Sequence, residues 1–357
     1  MFPRSISDVS NQWLKKVTGY EVKHFTFDNV SEGRGFAGEV FKLNLIYAHS
    51  DLISNKNPST LIVKFASQNP TTKKMVRPYA INETKIYSNL SKFYEGLLPS
   101  IYYSGCDEKT GDCCILMEDL STKIYGDSLR GLSLAQSISA TTSIARFHSS
   151  FWETSKLSQF SWLKHSKLLL RFMSKIVKQH SPIFLDSYGN SLSREFQELV
   201  AIYPHKMTTI WNRLMDSPVT ICHGDFRPDN FFFDDDGNNI TVIDWQLCSE
   251  MKGIVDIAYL FTWGLDEKNR KSWESQLLTH YHDTLISKGI KDYSESNIRK
   301  DYILGLFVPF QILIVASTAL NNGSQRGEQL ISLVIKRIQS IIDDHNLLFQ
   351  LSRILFG

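Results

Sequence analysis

Ile221-Cys222-His223-Gly224-Asp225-Phe226-Arg227-Pro228-Asp229-Asn230, with Val242-Ile243-Asp244-Trp245 a short stretch downstream, is the part of the chain on which its fold turns. An apolar run ends at Cys222 and a polar loop follows. Two further apolar runs, Phe231 to Phe233 and Ile240 to Ile243, are then joined through Asp236-Gly237, a hairpin turn signal. These predicted strands bring Asp225, Asn230 and Asp244 to one end of a small sheet. The outcome is a carboxylate able to take a proton and two oxygen ligands of the hard kind that suits magnesium. Asp and Asn also favour turns, and Pro228 marks one, but turn chemistry leaves an aspartate at the end of a buried strand unexplained.

Outward from this island the chain changes character. From Leu132 onward the periodicity is helical, with Leu134, Ile138, Thr141, Ala145, His148 and Trp152 on one face of a helix. From about Tyr20 to Leu120 it is strand-like with one helical interruption. Glu39 to Ala48 and Leu61 to Ala66 are rich in β-branched and aromatic residues, and Ile81 to Phe93 reads as a helix. Cys113 to Met117 is a further buried strand that runs into the polar stretch Glu118 to Thr122, the natural hinge. The reading is α+β in two lobes, a small β-rich one over 1–120 and a larger, mostly helical one over 121–357.

Two features of the first lobe bear on chemistry. Gly33-Arg34-Gly35-Phe36-Ala37-Gly38-Glu39-Val40 has the pattern G-x-G-x-x-G-x-V, and Gly33, Gly35 and Gly38 would let backbone N–H groups approach phosphate oxygens closely. An ordinary hairpin carries the same glycines, and a dinucleotide site is disfavoured because a strand follows them rather than a helix. Lys64 interrupts the apolar strand Leu61 to Ala66, where an ammonium is costly unless it meets an anion or reaches water at a strand edge. A phosphate is one such anion, and Glu83, on the following helix, is the candidate carboxylate.

Bulk properties exclude several classes. A chain of 357 residues, 42% hydrophobic, can bury a sizeable core. With 39 basic against 37 acidic residues, the formal net charge of +2 points to neither nucleic acid nor an anionic membrane as main partner. Five cysteines without C-x-x-C spacing argue against a disulfide framework or a zinc site and fit a reducing cytoplasm. No apolar h-region follows the basic residue near the N-terminus. The most apolar segment, Leu304 to Leu320, contains Pro309, Gln311, Ser317 and Thr318 and is too short to span a bilayer, so a buried helix is expected there. The linear pattern fixes no oligomeric state.

Taken in order, glycine loop, strand lysine, helix glutamate, loop aspartate, asparagine and second aspartate resemble the protein-kinase signature set from Gly33 to Asp256. His223-Gly224-Asp225 and Ile243-Asp244-Trp245-Gln246 stand where protein kinases carry His-Arg-Asp and Asp-Phe-Gly. Together with Met117-Glu118-Asp119-Leu120-Ser121, Gly126-Asp127 and Ala145-Arg146-Phe147-His148 with Phe151-Trp152, they are similar to the ecdysteroid-kinase-like branch of the aminoglycoside/choline kinase group. The resemblance implies a protein-kinase-like two-lobe fold and transfer of the γ-phosphoryl group of ATP, with Mg2+, to a hydroxyl of a small molecule. It implies that Lys64, oriented by Glu83, holds the α/β-phosphates and that backbone groups of Glu118 and Leu120 meet the adenine. Asp225 would accept or orient the acceptor proton, Asn230 and Asp244 would hold magnesium, and Asp256 would buttress the catalytic loop.

Departures from protein kinases favour a small acceptor. Gly224 has no guanidinium with which to read a phosphorylated loop, and Asp256 follows Asp244 too closely for a peptide-binding activation segment. Arg227, two residues after Asp225, is a candidate for stabilising the transferred phosphoryl, or else pairs with an acid such as Asp229. His148 reads as a core histidine bonded to a backbone carbonyl, and His223 as a residue that holds the loop. Trp263, Trp273, Tyr281, Tyr293 and Tyr302 line an acceptor pocket or, as is commoner at such spacing, the core. Sterols, choline-like amines, aminosugars and other alcohols all remain open as acceptors. The alternatives are an aminoglycoside-type phosphotransferase, which requires a carboxylate-rich acceptor cleft, and a nucleotide-binding pseudokinase, against which the intact Lys64, Asp225, Asn230 and Asp244 count.

Overall fold

The structure, a computed structural model, describes residues 2–30, 38–47, 57–90, 94, 96–164, 167–237, 239–320 and 325–356. The chain divides into two compact units, one of Met1–Ile124 with Thr241–Cys248, the other of Tyr125–Ile240 with Ser249–Gly357. The segment carrying Asp244 therefore belongs with the N-terminal part of the chain.

The first unit runs α1 (Asn11–Thr18), β1 (Val22–Asn29), β2 (Gly38–Tyr47), β3 (Thr60–Ala66), α2 (Pro70–Leu90), β4 (Ile101–Asp107) and β5 (Asp112–Glu118). Its strands form one antiparallel sheet in the order β1-β2-β3-β5-β4. Period-two alternation sends Leu61, Val63 and Phe65 of β3 into a core shared with Leu43, Leu45, Leu116 and Leu14. Lys64 thereby faces the other way, opposite Val40 on β2 and Ile115 on β5. The helix expected over Ile81 to Phe93 is α2 as far as Leu90, residues 91–93 lying outside the described ones, and it begins earlier. Pro70 occupies its first turn without loss of a needed donor, and Asn69 Oδ1 accepts the N–H groups of Thr71 and Thr72. Val76, Ala80, Glu83, Tyr87 and Leu90, three and four apart, form its buried stripe.

The short strand β6 (Ile124–Tyr125) leads into the second unit, which holds α3 (Leu134–Phe151), α4 (Lys167–Tyr188), α5 (Arg194–Leu214), β7 (Thr220–Cys222) and β8 (Phe231–Phe233). The chain then passes through β9 (Ile240–Val242) to Asp244 and returns as β10 (Ser249–Met251), α6 (Ile254–Gly264), α7 (Glu267–Ser287), α8 (Glu295–Gly305), α9 (Phe307–Leu320), α10 (Gln325–His345) and α11 (Leu347–Phe356). Ser133 and Gln136 close a capping box at the start of α3. Every residue of α6 is buried, which explains its all-round apolar sequence. One helical run, Glu295–Ser317, is long and apolar enough to cross a membrane, and 61% of its apolar window is buried within the protein. Between Asp244 and Asp256 lie only a 3-10 turn, β10 and the first turn of α6.

One expectation is corrected here. A single small sheet was to present Asp225, Asn230 and Asp244, but β7, which leads to Asp225, pairs antiparallel with β10. Asp244 instead follows β9 in the segment that belongs to the first unit. Alternation and turn signals identify strands; which strand each one pairs with depends on contacts distant in sequence.

Candidate active site

In the first unit, α2 carries Glu83 within its apolar stripe to the face of β3 on which Lys64 stands. Lys64 Nζ lies 2.9 and 2.7 Å from the two Glu83 carboxylate oxygens and 3.7 Å from Asp244 Oδ1. Burial works against the Lys64 charge, but Glu83 and then Asp244 outweigh it and hold the ammonium above its ordinary value. Burial raises the Glu83 carboxyl, with Lys64 opposing.

Asp244 has φ 65° and ψ 56°, a left-handed conformation that few residues other than glycine, asparagine and aspartate adopt. Its N–H donates to the Tyr87 hydroxyl at 3.3 Å, and Asn82 ties down the following turn by donating to the Gln246 and Cys248 carbonyls, both at 2.9 Å. The turn is thus pinned from α2. Asp244 Oδ1 is buried and has no hydrogen-bond partner among the described residues, an anionic oxygen of the kind a hard cation would satisfy.

Of the glycine loop, Gly33 and Gly35 lie outside the described residues. Gly38 opens β2, where a Cβ would overlap the Phe65 carbonyl, so close strand approach requires a glycine there whatever its part in binding. The Glu118 N–H donates to the Ser100 carbonyl at 3.0 Å, and its carboxylate accepts from the Ser100 N–H at 2.7 Å. The Leu120 carbonyl accepts from Lys123 at 2.9 Å, whereas its N–H has no hydrogen-bond partner among the described residues.

In the second unit the loop after β7 is organised by Asp256 at the start of α6. Fully buried, it accepts the N–H of His223 at 2.7 Å and of Gly224 at 2.9 Å. Gly224 stands at φ 82°, so the position that is arginine in protein kinases here needs the freedom of glycine. His148 is buried as expected, but its partners differ from the expected backbone carbonyl. Nε2 lies 3.1 Å from Asp256 Oδ2, and Nδ1 lies 2.9 Å from the Tyr281 hydroxyl. A buried carboxylate is a stronger acceptor than a carbonyl, and only the tertiary structure brings it to this helix.

Asp225 is gripped on several sides. Asn230 Nδ2 donates to its carbonyl at 2.9 Å and to Oδ2 at 3.1 Å, which uses the amide nitrogen and leaves Asn230 Oδ1 for other work. Arg227 Nε sits 3.1 Å from Asp225 Oδ1, and its Nη1 lies 3.5 Å from Asp229 Oδ2. The Arg227 guanidinium also lies 5.2 Å over the Trp263 ring. Tyr259, which sequence reading missed, lies within electrostatic reach of Asp225, and its ring stacks near Trp263 at 6.0 Å. Its position three residues after Asp256, on the same helix, was the available signal. Trp263, Tyr281, Tyr293 and Tyr302 are buried in the core.

The family model described as the ecdysteroid kinase-like family matches residues 32–291. Among solved structures, a choline kinase from Cryptosporidium parvum is 12% identical, with 98% of this chain and 95% of that one covered and a TM-score of 0.57. A GDP complex of an aminoglycoside 2′-phosphotransferase IIIa variant is 11% identical, with 93% and 97% covered and a TM-score of 0.55. A Plasmodium vivax ethanolamine kinase is 12% identical, with 91% and 85% covered and a TM-score of 0.54. At these identities the structural likenesses show a shared fold, the protein-kinase-like one with a small antiparallel-sheet unit and a helical unit. No curated protein matches the sequence.

Proposed function

Since this chain belongs to the ecdysteroid kinase-like family, we propose that it moves the γ-phosphoryl group of ATP, taken with magnesium, to a hydroxyl of a small molecule. The observation that carries the reading is Lys64 on Glu83 beside a buried Asp244 oxygen with no hydrogen-bond partner among the described residues. Drawing these three charges together and partly out of water for folding alone is unfavourable, because an apolar cluster of the same size carries no such desolvation cost. A polyphosphate with its cation would give the Asp244 oxygen a partner and share the Lys64 ammonium with Glu83.

In this reading Lys64 binds the α/β-phosphates, Gly33, Gly35 and Gly38 shape the loop over them, and Glu118 and Leu120 bind the adenine through their backbone. Magnesium would be held through oxygens of Asp244 and Asn230, and when bound it neutralises phosphate charge. Asp225 orients the acceptor hydroxyl and receives its proton. Asn230 and Arg227 fix its carboxylate, and Asp256 sets the loop that presents it. Arg227 lends fixed positive charge beside Asp225. The acceptor is a small hydroxylated molecule, and the location is cytoplasmic, in keeping with five free cysteines.

Asp225→Asn tests this, with ATP binding and acceptor-dependent ADP release measured on the same preparation. Transfer should be lost while ATP affinity stays within about twofold, because the groups assigned to the nucleotide are untouched. Wild-type turnover by the variant would refute the assignment.

A further inference from the structure

An alternating ladder of charge runs away from Asp225 within the second unit. Arg227 bridges Asp225 and Asp229, and Arg326, in the first turn of α10, bridges Asp229 and Asp127 with one 2.8 Å contact to each. Ser128 hydrogen-bonds Asp229, and the Tyr125 hydroxyl donates to the Asp229 carbonyl at 2.7 Å, so the middle of the ladder is fixed in place. Burial works against the Asp127 charge, but Arg326 and the Leu129 N–H hold its carboxyl below the usual range.

The surrounding charges do not tip the balance toward anions. Arg130 approaches Asp127 at 3.7 Å, and the buried Arg337, whose Nη1 donates to the Trp263 carbonyl at 2.5 Å, is within electrostatic reach of Asp229. Three carboxylates along the ladder thus face four guanidiniums. The side chains of Asp127 and Asp229 are 19% and 13% exposed and that of Arg326 is 48% exposed, so solvent and solutes meet the arginine before either acid.

We propose that Arg326 is a selectivity residue of the acceptor site: by occupying both Asp127 and Asp229 it closes them to cationic acceptors, leaving a site that takes uncharged alcohols. This rests on the phosphotransfer reading, because Asp225 must come within hydrogen-bond reach of the acceptor hydroxyl. An acceptor that extends from Asp225 along the ladder then meets the neighbouring rungs. A cationic sugar or amine arriving there finds its carboxylate partners already paired and a guanidinium outermost, a like-charge arrangement that selects against it.

The test is a binding measurement, made without ATP. Kanamycin serves as the polycationic probe, titrated calorimetrically at low ionic strength into wild type, Arg326→Gln, Arg326→Lys and Arg326→Gln/Asp127→Asn. Release of one oxygen each of Asp127 and Asp229 should tighten binding to Arg326→Gln by about tenfold, with the gain falling as salt is added. Arg326→Lys should behave as wild type, and the double variant should lose most of the gain. No gain in Arg326→Gln with an unfolding midpoint near wild type, or a full gain persisting in the double variant, overturns the proposal. ADP release by wild type with a panel of alcohols reports separately on phosphotransfer, so failure there is distinguishable from failure of the selectivity role.

Discussion

Asp256→Asn should be the most damaging isosteric change in the second unit. The carboxylate accepts from His223 N–H and Gly224 N–H through different oxygens and from His148 through Oδ2, all in a fully buried setting. An asparagine keeps one accepting oxygen and turns an NH2 toward a donor that had been satisfied. Buried hydrogen bonds to a charged group contribute about 1.5–3 kcal/mol each, and the orphaned N–H adds its own desolvation cost, so a loss of about 3 kcal/mol is expected. With a urea slope of about 3 kcal/mol/M, the unfolding midpoint falls by about 1 M. His223 and Gly224 immediately precede Asp225, so kcat should fall as well, while ATP affinity, assigned to residues of the first unit, should hold. A urea midpoint unchanged from wild type would refute the reasoning, since the loop N–H groups would then be satisfied without this carboxylate.

Glu83→Ala should cost about 3 kcal/mol at neutral pH, because it leaves the Lys64 ammonium buried with only Asp244 at 3.7 Å, and ATP affinity should drop with it. Wild-type Lys64, held above its ordinary value, contributes stability that is present below that value and lost as pH rises through the higher folded value. The gap between variant and wild type should therefore hold from pH 7 to pH 10 and narrow only above about pH 10.5, as denaturant titrations at pH 9 and pH 11.5 would show. Arg227→Ala should lower kcat about a hundredfold with ATP affinity unchanged, the usual scale for removing one charge-stabilising donor. Turnover at the wild-type rate would reduce Arg227 to a tie between Asp225 and Asp229. Burial pushes the Cys113 thiol up to about 12 and raises Cys106 and Cys114 as well, so a thiolate-selective reagent at pH 8 should label the native protein far more slowly than the unfolded chain. Rapid labelling of Cys113 in the native state would contradict its buried position.

The sequence by itself determined the elements and the order of the chemistry. Alternation in Leu61 to Ala66 marks β3 and singles out Lys64, the helix read over Ile81 to Phe93 carries Glu83, and the apolar face from Leu134 to Trp152 marks α3, because these depend on residues near in sequence. The tertiary structure alone decided which distant groups meet. Asp244 joins the first unit and adopts a left-handed turn pinned by Tyr87 and Asn82, α6 brings Asp256 under the His223 and Gly224 N–H groups, and α10 sends Arg326 between Asp127 and Asp229. No local period encodes such pairings. They arise because a buried charge or backbone donor must find a partner, and packing of the whole chain decides which one is within reach.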